Sequence, residues 1–352
     1  MAIDGAAARR SQLGGYGGNV LHGPTEQLLV DSYGRTARDL RISVTDRCDL
    51  RCTYCMPEEG LEWLDSAKLL TFDEIVRLTA VLVDLGITSV RLTGGEPLMR
   101  PHLSELVSSL SSLGLDDLSM TTNGTTLARH AAALAKAGLK RVNVSLDSLV
   151  AARVLDISRR DVLDKVLAGI DAANAAGLSP VKVNCVLIRG KNDDEILDFA
   201  EFARRTGAEV RFIEDMPLGA DQQWSSAVVV PGSEVVDLIS TVHRLTAEQR
   251  GSEPASTYTF ADGAPGRIGV IASVTEPFCA SCDRLRLTAD GFLRTCLFAH
   301  VETDLLTPMR AGATDAELVA LIRSAVSAKG PGHAIGLSEF EQPVRFMSRI
   351  GG

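Results

Sequence analysis

The sequence predicts an α/β protein, a partial (β/α)6 barrel closed by a smaller C-terminal α+β region. Three observations lead there. From residue 41 onward, short β-rich runs alternate with helical ones, the pattern of βα units around a parallel sheet. Within the strand runs, polar and apolar residues alternate with period two. Arg41, Ser43 and Thr45 interleave with Ile42 and Val44; Arg91 and Thr93 with Val90 and Leu92; Asn143, Ser145 and Asp147 with Val142, Val144 and Leu146; Lys182 and Asn184 with Val183 and Cys185. Successive side chains of a strand point to opposite faces, and a parallel sheet normally has both faces covered. A polar face repeated from strand to strand therefore implies a TIM-like lumen that holds a polar ligand, with helices over the apolar outside. A half-solvated antiparallel sheet is the competing reading, and the regular crossover helices count against it. The third observation is a change of character after Gly219, where the βα alternation stops.

The strands are expected at 40–44, 88–92, 117–121, 141–146, 181–188 and 209–213, and the helices at 72–85, 103–113, 126–137, 162–176 and 194–206. Thr71 before the first helix, with Glu74 three positions on, has capping-box spacing. Gly86, Gly138, Gly177 and Gly207 stand just past helix ends, where helices commonly stop. Beyond Gly219, residues 221–266 read as irregular with one helix at 232–242. Strand-rich stretches follow at 267–274 and 285–288, then a hairpin turn at Asp290 and Gly291, and a last helix at 315–328. Residues 1–36 carry Gly14, Gly15, Gly17 and Gly18 without sustained apolar periodicity, and read as a mobile extension with a short ordered part near 27–30. The division is thus 1–36 extension, 37–220 barrel and 221–352 closing region.

A chain of 352 residues makes one large domain or two ordinary ones, and 45% hydrophobic with 23% charged residues is ordinary globular composition. A net charge of −9 argues against general nucleic-acid or anionic-membrane binding. No apolar run approaches the roughly 20 residues of a membrane span, and residues 1–20 lack the apolar core of a secretory signal, so the expected location is cytoplasmic. Seven cysteines, an odd number without an export signal, make a disulfide framework a poor reading.

Six of those cysteines form two sets of three. Cys48, Cys52 and Cys55 follow the first strand, on a βα loop of the kind that carries chemistry at the C-terminal face of a barrel. A four-iron, four-sulfur cluster normally takes four thiolates, so three would leave one iron open to a ligand. A zinc loop or free thiols are the alternatives, but no His or Cys lies between Cys55 and His102 to complete a zinc site. Cys279, Cys282 and Cys296 form the second set. It is either an auxiliary cluster with one open iron or a zinc site completed by His300. Arg284 and Arg286 lie two apart on a strand and share a face. With Arg41, Arg91, Lys182 and Arg211 on the lumen side they make a cationic cavity in an acidic protein. Guanidinium forks favour phosphate oxygens, so the cavity suits a polyanion such as a nucleoside triphosphate. Any one of these arginines alone reads more readily as a surface ion pair. There is no Walker-type loop. Cys185 alternates onto the apolar face and reads as a packed core thiol.

The C-x3-C-x2-C loop with Tyr54 before its last cysteine, joined to Gly94, Gly95, Glu96 and Pro97 after the second strand, resembles the radical S-adenosylmethionine (SAM) superfamily. From about Arg35 to Gly352 the chain resembles one family within it, the GTP 3′,8-cyclases of molybdenum cofactor biosynthesis. The C-terminal C-x2-C-x13-C, Arg284-Leu285-Arg286, the segment 211–217 and the terminal Gly351-Gly352 carry that resemblance. It implies two four-iron clusters, one on Cys48, Cys52 and Cys55 and one on Cys279, Cys282 and Cys296. It implies SAM contacts at Tyr54, Gly95, Ser145 and Met216, and GTP contacts at Arg41, Arg91, Thr121, Lys182, Arg284, Leu285 and Arg286. Arg284, Arg286, Gly351 and Gly352 would serve the reaction itself. That reaction converts GTP to (8S)-3′,8-cyclo-7,8-dihydroguanosine 5′-triphosphate: a 5′-deoxyadenosyl radical takes hydrogen from ribose C3′, which then adds to guanine C8. An electron donor, a cyclic pyranopterin monophosphate synthase downstream and a homodimer are implied in the same way.

The chain departs from the family in its longer extension and in a spacing between Gly95 and Thr121 about one residue shorter than in some members. The second departure leaves Thr121 and Thr122 as alternatives. Without the resemblance, Gly351 and Gly352 would read as a frayed end. Two rivals stand beside this reading. A peptide-modifying radical SAM enzyme with an auxiliary cluster would be separated by GTP binding, and a zinc-stabilised binding module by metal content.

Overall fold

The structure, a computed structural model, describes residues 28–351 apart from 60, 220–223 and 339. Residues 1–27, the larger part of the expected extension, and Gly352 lie outside the described residues. The first half runs β1 (Asp39–Ser43), α1 (Phe72–Asp84), β2 (Ser89–Thr93), α2 (Leu103–Ser111), β3 (Asp117–Thr122), α3 (Leu127–Lys136), β4 (Arg141–Ser145), α4 (Ala151–Ser158), α5 (Leu163–Ala175), β5 (Lys182–Leu187), α6 (Ile196–Thr206) and β6 (Glu209–Glu214). All six expected strands and five expected helices are present, with ends shifted by one or two residues. The α1 capping box forms as its spacing predicts: Glu74 N–H donates to Thr71 Oγ1 at 3.2 Å and Thr71 N–H to Glu74 Oε2 at 2.8 Å, a cap worth about 1 kcal/mol.

The second half adds α7 (Gly232–Ser240), β7 (Leu245–Ala247), β8 (Ser256–Phe260), β9 (Arg267–Ile271), β10 (Arg284–Leu287), β11 (Phe292–Arg294), β12 (Thr303–Asp304), α8 (Leu306–Arg310), α9 (Asp315–Ser327) and α10 (Met347–Ile350). Two expectations need correction here. The stretch 221–266 is not irregular beyond its helix, because β7 and β8 form an antiparallel edge on β9. Their side chains are mostly half-buried or exposed, so no strong period-two contrast marks them. Helix α4 was not anticipated; it has no side-chain cap and ends on Arg159 in the left-handed region instead of on a glycine.

The strand order is β12-β11-β10-β1-β2-β3-β4-β5-β6-β9-β8-β7. From β10 to β9 every pairing is parallel, so strands of the C-terminal region extend the barrel sheet on both sides. The two outermost parallel strands, β10 and β9, contribute Arg286 and Ile271 to one cavity. The sheet is therefore curled into a partial barrel. Among the described residues no ladder joins its two free edges.

The alternation read from the sequence sorts the faces as expected. Ile42, Val90, Val142, Val144, Val183 and Phe212 turn outward into the core, where they meet Leu78 and Leu82 of α1 and Val166 and Ile170 of α5. Cys185 is fully buried there. Residues 28–36, assigned by sequence to the extension, are packed onto the fold. Leu29 is buried, Val30 bridges Thr36, and Asp31 pairs with buried Arg35 at 2.6 Å. The short ordered part expected near 27–30 is thus present at Leu29 and Val30, and the order continues to residue 36.

Candidate active site

One cavity at the C-terminal ends of the parallel strands is lined by all six clustered cysteines. The Cys48–Cys55 loop leaves β1 and folds on itself, with Cys55 N–H donating to Cys52 O at 3.0 Å. It is braced by the unanticipated α4: Arg51 N–H donates to Ser158 O and Thr53 N–H to Ile157 O, at 3.1 and 3.0 Å. Tyr54 Oη donates to Asp147 Oδ2 at 2.8 Å, and Val186 N–H donates to Asp147 Oδ1 at 2.9 Å. Burial pushes the Asp147 carboxyl up to about 6.

The loop after β2 lies directly against the loop after β1. Gly95 N–H donates to Thr45 O at 2.8 Å, and a Cβ built on Gly95 would stand 2.3 Å from Arg47 O, a clash with backbone that only glycine avoids. Glu96, buried beneath it, accepts from Thr122 Oγ1 at 2.7 Å and from the backbone of Asn123 and Leu98. Burial pushes it up to about 7. Thr121 and Thr122 both line the cavity, and the Thr122 hydroxyl is donated to Glu96. Ser145 and Met216 face the same space.

The cationic wall is a row in register. Arg286, Arg41 and Arg91 are paired neighbours on β10, β1 and β2, about 4.8 Å apart from strand to strand. With Arg284 they line the cavity. None of the four forms a salt bridge among the described residues, and the Nε atoms of Arg41 and Arg284 are buried without a protein partner. Burial, together with the charges of Arg286, Arg91 and Arg284, lowers Arg41 well below its ordinary value. Burial likewise brings Arg91 and Arg286 down to about 10. Crowding of this kind is relieved by a bound anion.

Two expected GTP contacts sit elsewhere. Leu285, between two cavity arginines, turns by the same period-two rule into the core, so its side chain does not reach the cavity. Lys182 lies off the cavity lining, 3.3 Å from Glu209 and 3.9 Å from Glu253. Burial, and then the charge of Arg211, lower its ammonium to about 8.

The C-terminal tail enters the cavity between the two cysteine sets. Helix α10 places Met347 in the lining, and the Ser348 backbone hydrogen-bonds the Cys55 sulfur. Gly351 has φ +84° and accepts at its carbonyl from Arg286; a Cβ there would meet Thr93 Oγ1 at 2.6 Å. Gly352 lies outside the described residues.

Both cysteine sets suit cluster ligation. Their thiols are free and partly buried, and N–H groups point at the sulfurs: Leu50 N at 3.4 Å from Cys48 Sγ and Arg284 Nη2 at 3.4 Å from Cys282 Sγ. Burial pushes the Cys48 and Cys55 thiols up to about 12, so only a strong positive charge such as a metal's would hold them as thiolates. No group of three His, Cys, Asp or Glu side chains is arranged to hold a single ion, among the described residues. In a cluster each thiolate ligates its own iron, so the sulfurs stand around a shared core. His300, the candidate fourth zinc ligand, lines a separate pocket with Arg294 and Glu302.

Sequence reasoning placed Asp147 and Asn184 on the polar face without giving them roles, and it missed Asn123, Phe278 and His333, which also line the cavity. The lumen alternation was the available signal for the first two. The other three are on loops, where no periodicity operates.

Two family models match successive parts of the chain. Residues 42–203 match the Radical SAM superfamily, and residues 208–335 match the family Molybdenum Cofactor Synthesis C. The GTP 3′,8-cyclase of Streptomyces coelicolor is 52% identical over 330 residues, covering 92% of this chain and 96% of that protein. The GTP 3′,8-cyclase of Mycolicibacterium smegmatis is 50% identical over 336 residues, covering 94% and 93%. Among solved structures, Streptococcus suis SuiB superposes with a TM-score of 0.56 at 13% identity, over 80% of this chain and 64% of that one, a likeness of fold.

Proposed function

The chain belongs to the GTP 3′,8-cyclase family of the radical SAM superfamily, and from that premise we propose how its residues divide the work. The activity is the conversion of GTP to its 3′,8-cyclo-7,8-dihydro form in molybdenum cofactor biosynthesis. Cys48, Cys52 and Cys55 hold the first four-iron cluster, and Cys279, Cys282 and Cys296 the second. When bound, the first cluster with SAM supplies the one-electron chemistry that generates the 5′-deoxyadenosyl radical. Tyr54, oriented by Asp147, and the Gly94–Gly95 backbone bind SAM, with Ser145 and Met216 on its other sides.

The observation that carries the substrate assignment is an arginine row that, among the described residues, has no carboxylate partner. Arg286, Arg41 and Arg91 stand side by side, with Arg284 on the same strand as Arg286, facing the cavity that both cysteine sets line. A triphosphate clamped there is oriented for hydrogen abstraction, and proximity of this kind is worth several orders of magnitude in rate. The tail residues Met347 and Gly351 help close the cavity and exclude water. A neutral peptide substrate would leave the arginine row without counter-charge.

The finer assignments rest on the family resemblance. The enzyme functions as a homodimer in the cytoplasm, draws electrons from a separate donor, and passes its product to a cyclic pyranopterin monophosphate synthase. No helix among the described residues is long and apolar enough to cross a membrane. The functional units are 37–220 for SAM chemistry and 221–352 for the second cluster, a two-part division in keeping with two successive family matches.

The test is iron, acid-labile sulfide and zinc per chain after anaerobic reconstitution, followed by turnover of GTP with SAM and a reductant. About eight irons with matching sulfide and a cyclised nucleotide are expected. About four irons with one zinc would make the second site structural, and zinc without iron would overturn the assignment.

A further inference from the structure

The segment Lys329 to His333, one residue beyond α9, closes around the second cysteine set. Lys329 is 5% exposed. Its Nζ donates to Cys282 O at 2.9 Å, to Arg284 O at 3.1 Å and to Cys282 Sγ at 3.8 Å, with no hydrogen bond to a carboxylate among the described residues. Gly332 lies against the neighbouring ligand: a Cβ there would stand 2.6 Å from Cys279 Cβ and 2.8 Å from its sulfur. The His333 backbone then hydrogen-bonds the Cys279 sulfur. Arg35 fastens the segment in place, its guanidinium donating to the carbonyls of Gly330, Pro331 and Cys279.

A buried ammonium is costly; two backbone carbonyls accept from Lys329, and the acidic groups that act on it are the Cys282 and Cys296 sulfurs and Asp31, the last already paired with Arg35. Arg284 approaches the Cys282 sulfur from another direction, at 3.4 Å. Two cationic donors converging on one ligand sulfur are an arrangement that neutral packing does not require. Hydrogen bonds to cluster sulfurs and nearby positive charge favour the reduced, more negative state of a cluster.

We propose that Lys329 is a positioning residue for the second cluster: its ammonium holds Cys282 as a ligand and raises that cluster's reduction potential relative to a neutral side chain. This rests on the reading that Cys279, Cys282 and Cys296 hold iron and sulfide. Lys329 is far from those cysteines in sequence, and its role becomes visible only when α9 packs back onto the sheet.

The experiment uses full-length protein, anaerobically reconstituted, as wild type and as the variants Lys329→Met, Lys329→Gln and Lys329→Arg. The readouts are iron content and an EPR-monitored redox titration of each cluster, with signals assigned from Cys48→Ala and Cys279→Ala. In Lys329→Met and Lys329→Gln the second cluster's potential should shift negative while the first stays in place. Lys329→Arg should restore the wild-type value. Selective loss of the second cluster's iron in the two neutral variants, rescued by arginine, would support the same role. Wild-type iron and potentials in both neutral variants would overturn it. So would joint loss of both clusters, which marks a general folding role. A wild-type protein without iron at the second set would instead defeat the cluster reading, and the inference with it.

Discussion

The Arg286 guanidinium donates to the backbone carbonyl of Gly351, 65 positions later in the chain. One residue of the cationic row thereby holds the C-terminal tail, so the anion site and the tail are a single coupled structure. A ligand that draws Arg286 toward phosphate also acts on the residues that close the cavity.

Gly351→Ala tests the tail directly. Its φ of +84° and the Thr93 hydroxyl 2.6 Å from a new Cβ force the last residues out of place. Cyclised product should fall by about 100-fold, the cost of a misplacement near 1 Å. The thermal midpoint should stay within about 2 °C, as expected for a change confined to the chain end. Equal turnover by both proteins would remove the tail from the reaction.

Arg284→Ala should weaken GTP binding by roughly 10- to 100-fold, the equivalent of one or two charge-assisted hydrogen bonds. Calorimetric titration with GTP gives the affinity, and formation of 5′-deoxyadenosine under reductant reports SAM cleavage, which should survive. An unchanged GTP affinity would place the triphosphate elsewhere.

Lys182 supplies a pH prediction of the opposite kind. Its ammonium is lowered by burial to about 8, but it stands 3.3 Å from Glu209 and off the cavity lining. Loss of its proton as pH rises through about 8 should therefore leave GTP affinity unchanged, and Lys182→Arg, always charged, should give the same profile between about pH 7 and 9. A wild-type affinity that falls through about pH 8 and is flattened by Lys182→Arg would bring Lys182 into GTP binding.

Cys279→Ala should reduce iron from about eight to about four atoms per chain and leave the first cluster's EPR signal intact. The two sets lie on separate segments, Cys48, Cys52 and Cys55 after β1, Cys279 and Cys282 before β10 and Cys296 after β11, and each set meets its own hydrogen-bond donors. Loss of all iron would contradict two independent sites.

Much of the site was legible without coordinates because it obeys short-range rules. The alternation of Arg41 with Ile42, and of Arg91 with Val90, follows from strand geometry alone and correctly chose the lumen side. The same rule, applied strictly, also excludes Leu285 from the cavity. Helix α4 escaped because it lacks capping signals, and β8 because Thr257 and Tyr258 sit half-buried at an edge. Lys182 looked like a free lumen cation until Glu209 and Glu253 were seen beside it.

The sequence by itself determined the βα order, the polar lumen and the loops that carry both cysteine sets, since each depends on residues within a few positions of one another. Only the tertiary structure decided that Arg286, Arg41 and Arg91 form one row, that α4 braces the first cysteine loop, and that Lys329 and Gly351 reach the site. Those contacts join segments tens to hundreds of residues apart. Which pairs meet is set by how the helices pack and how the sheet curls, and local periodicity carries no record of either.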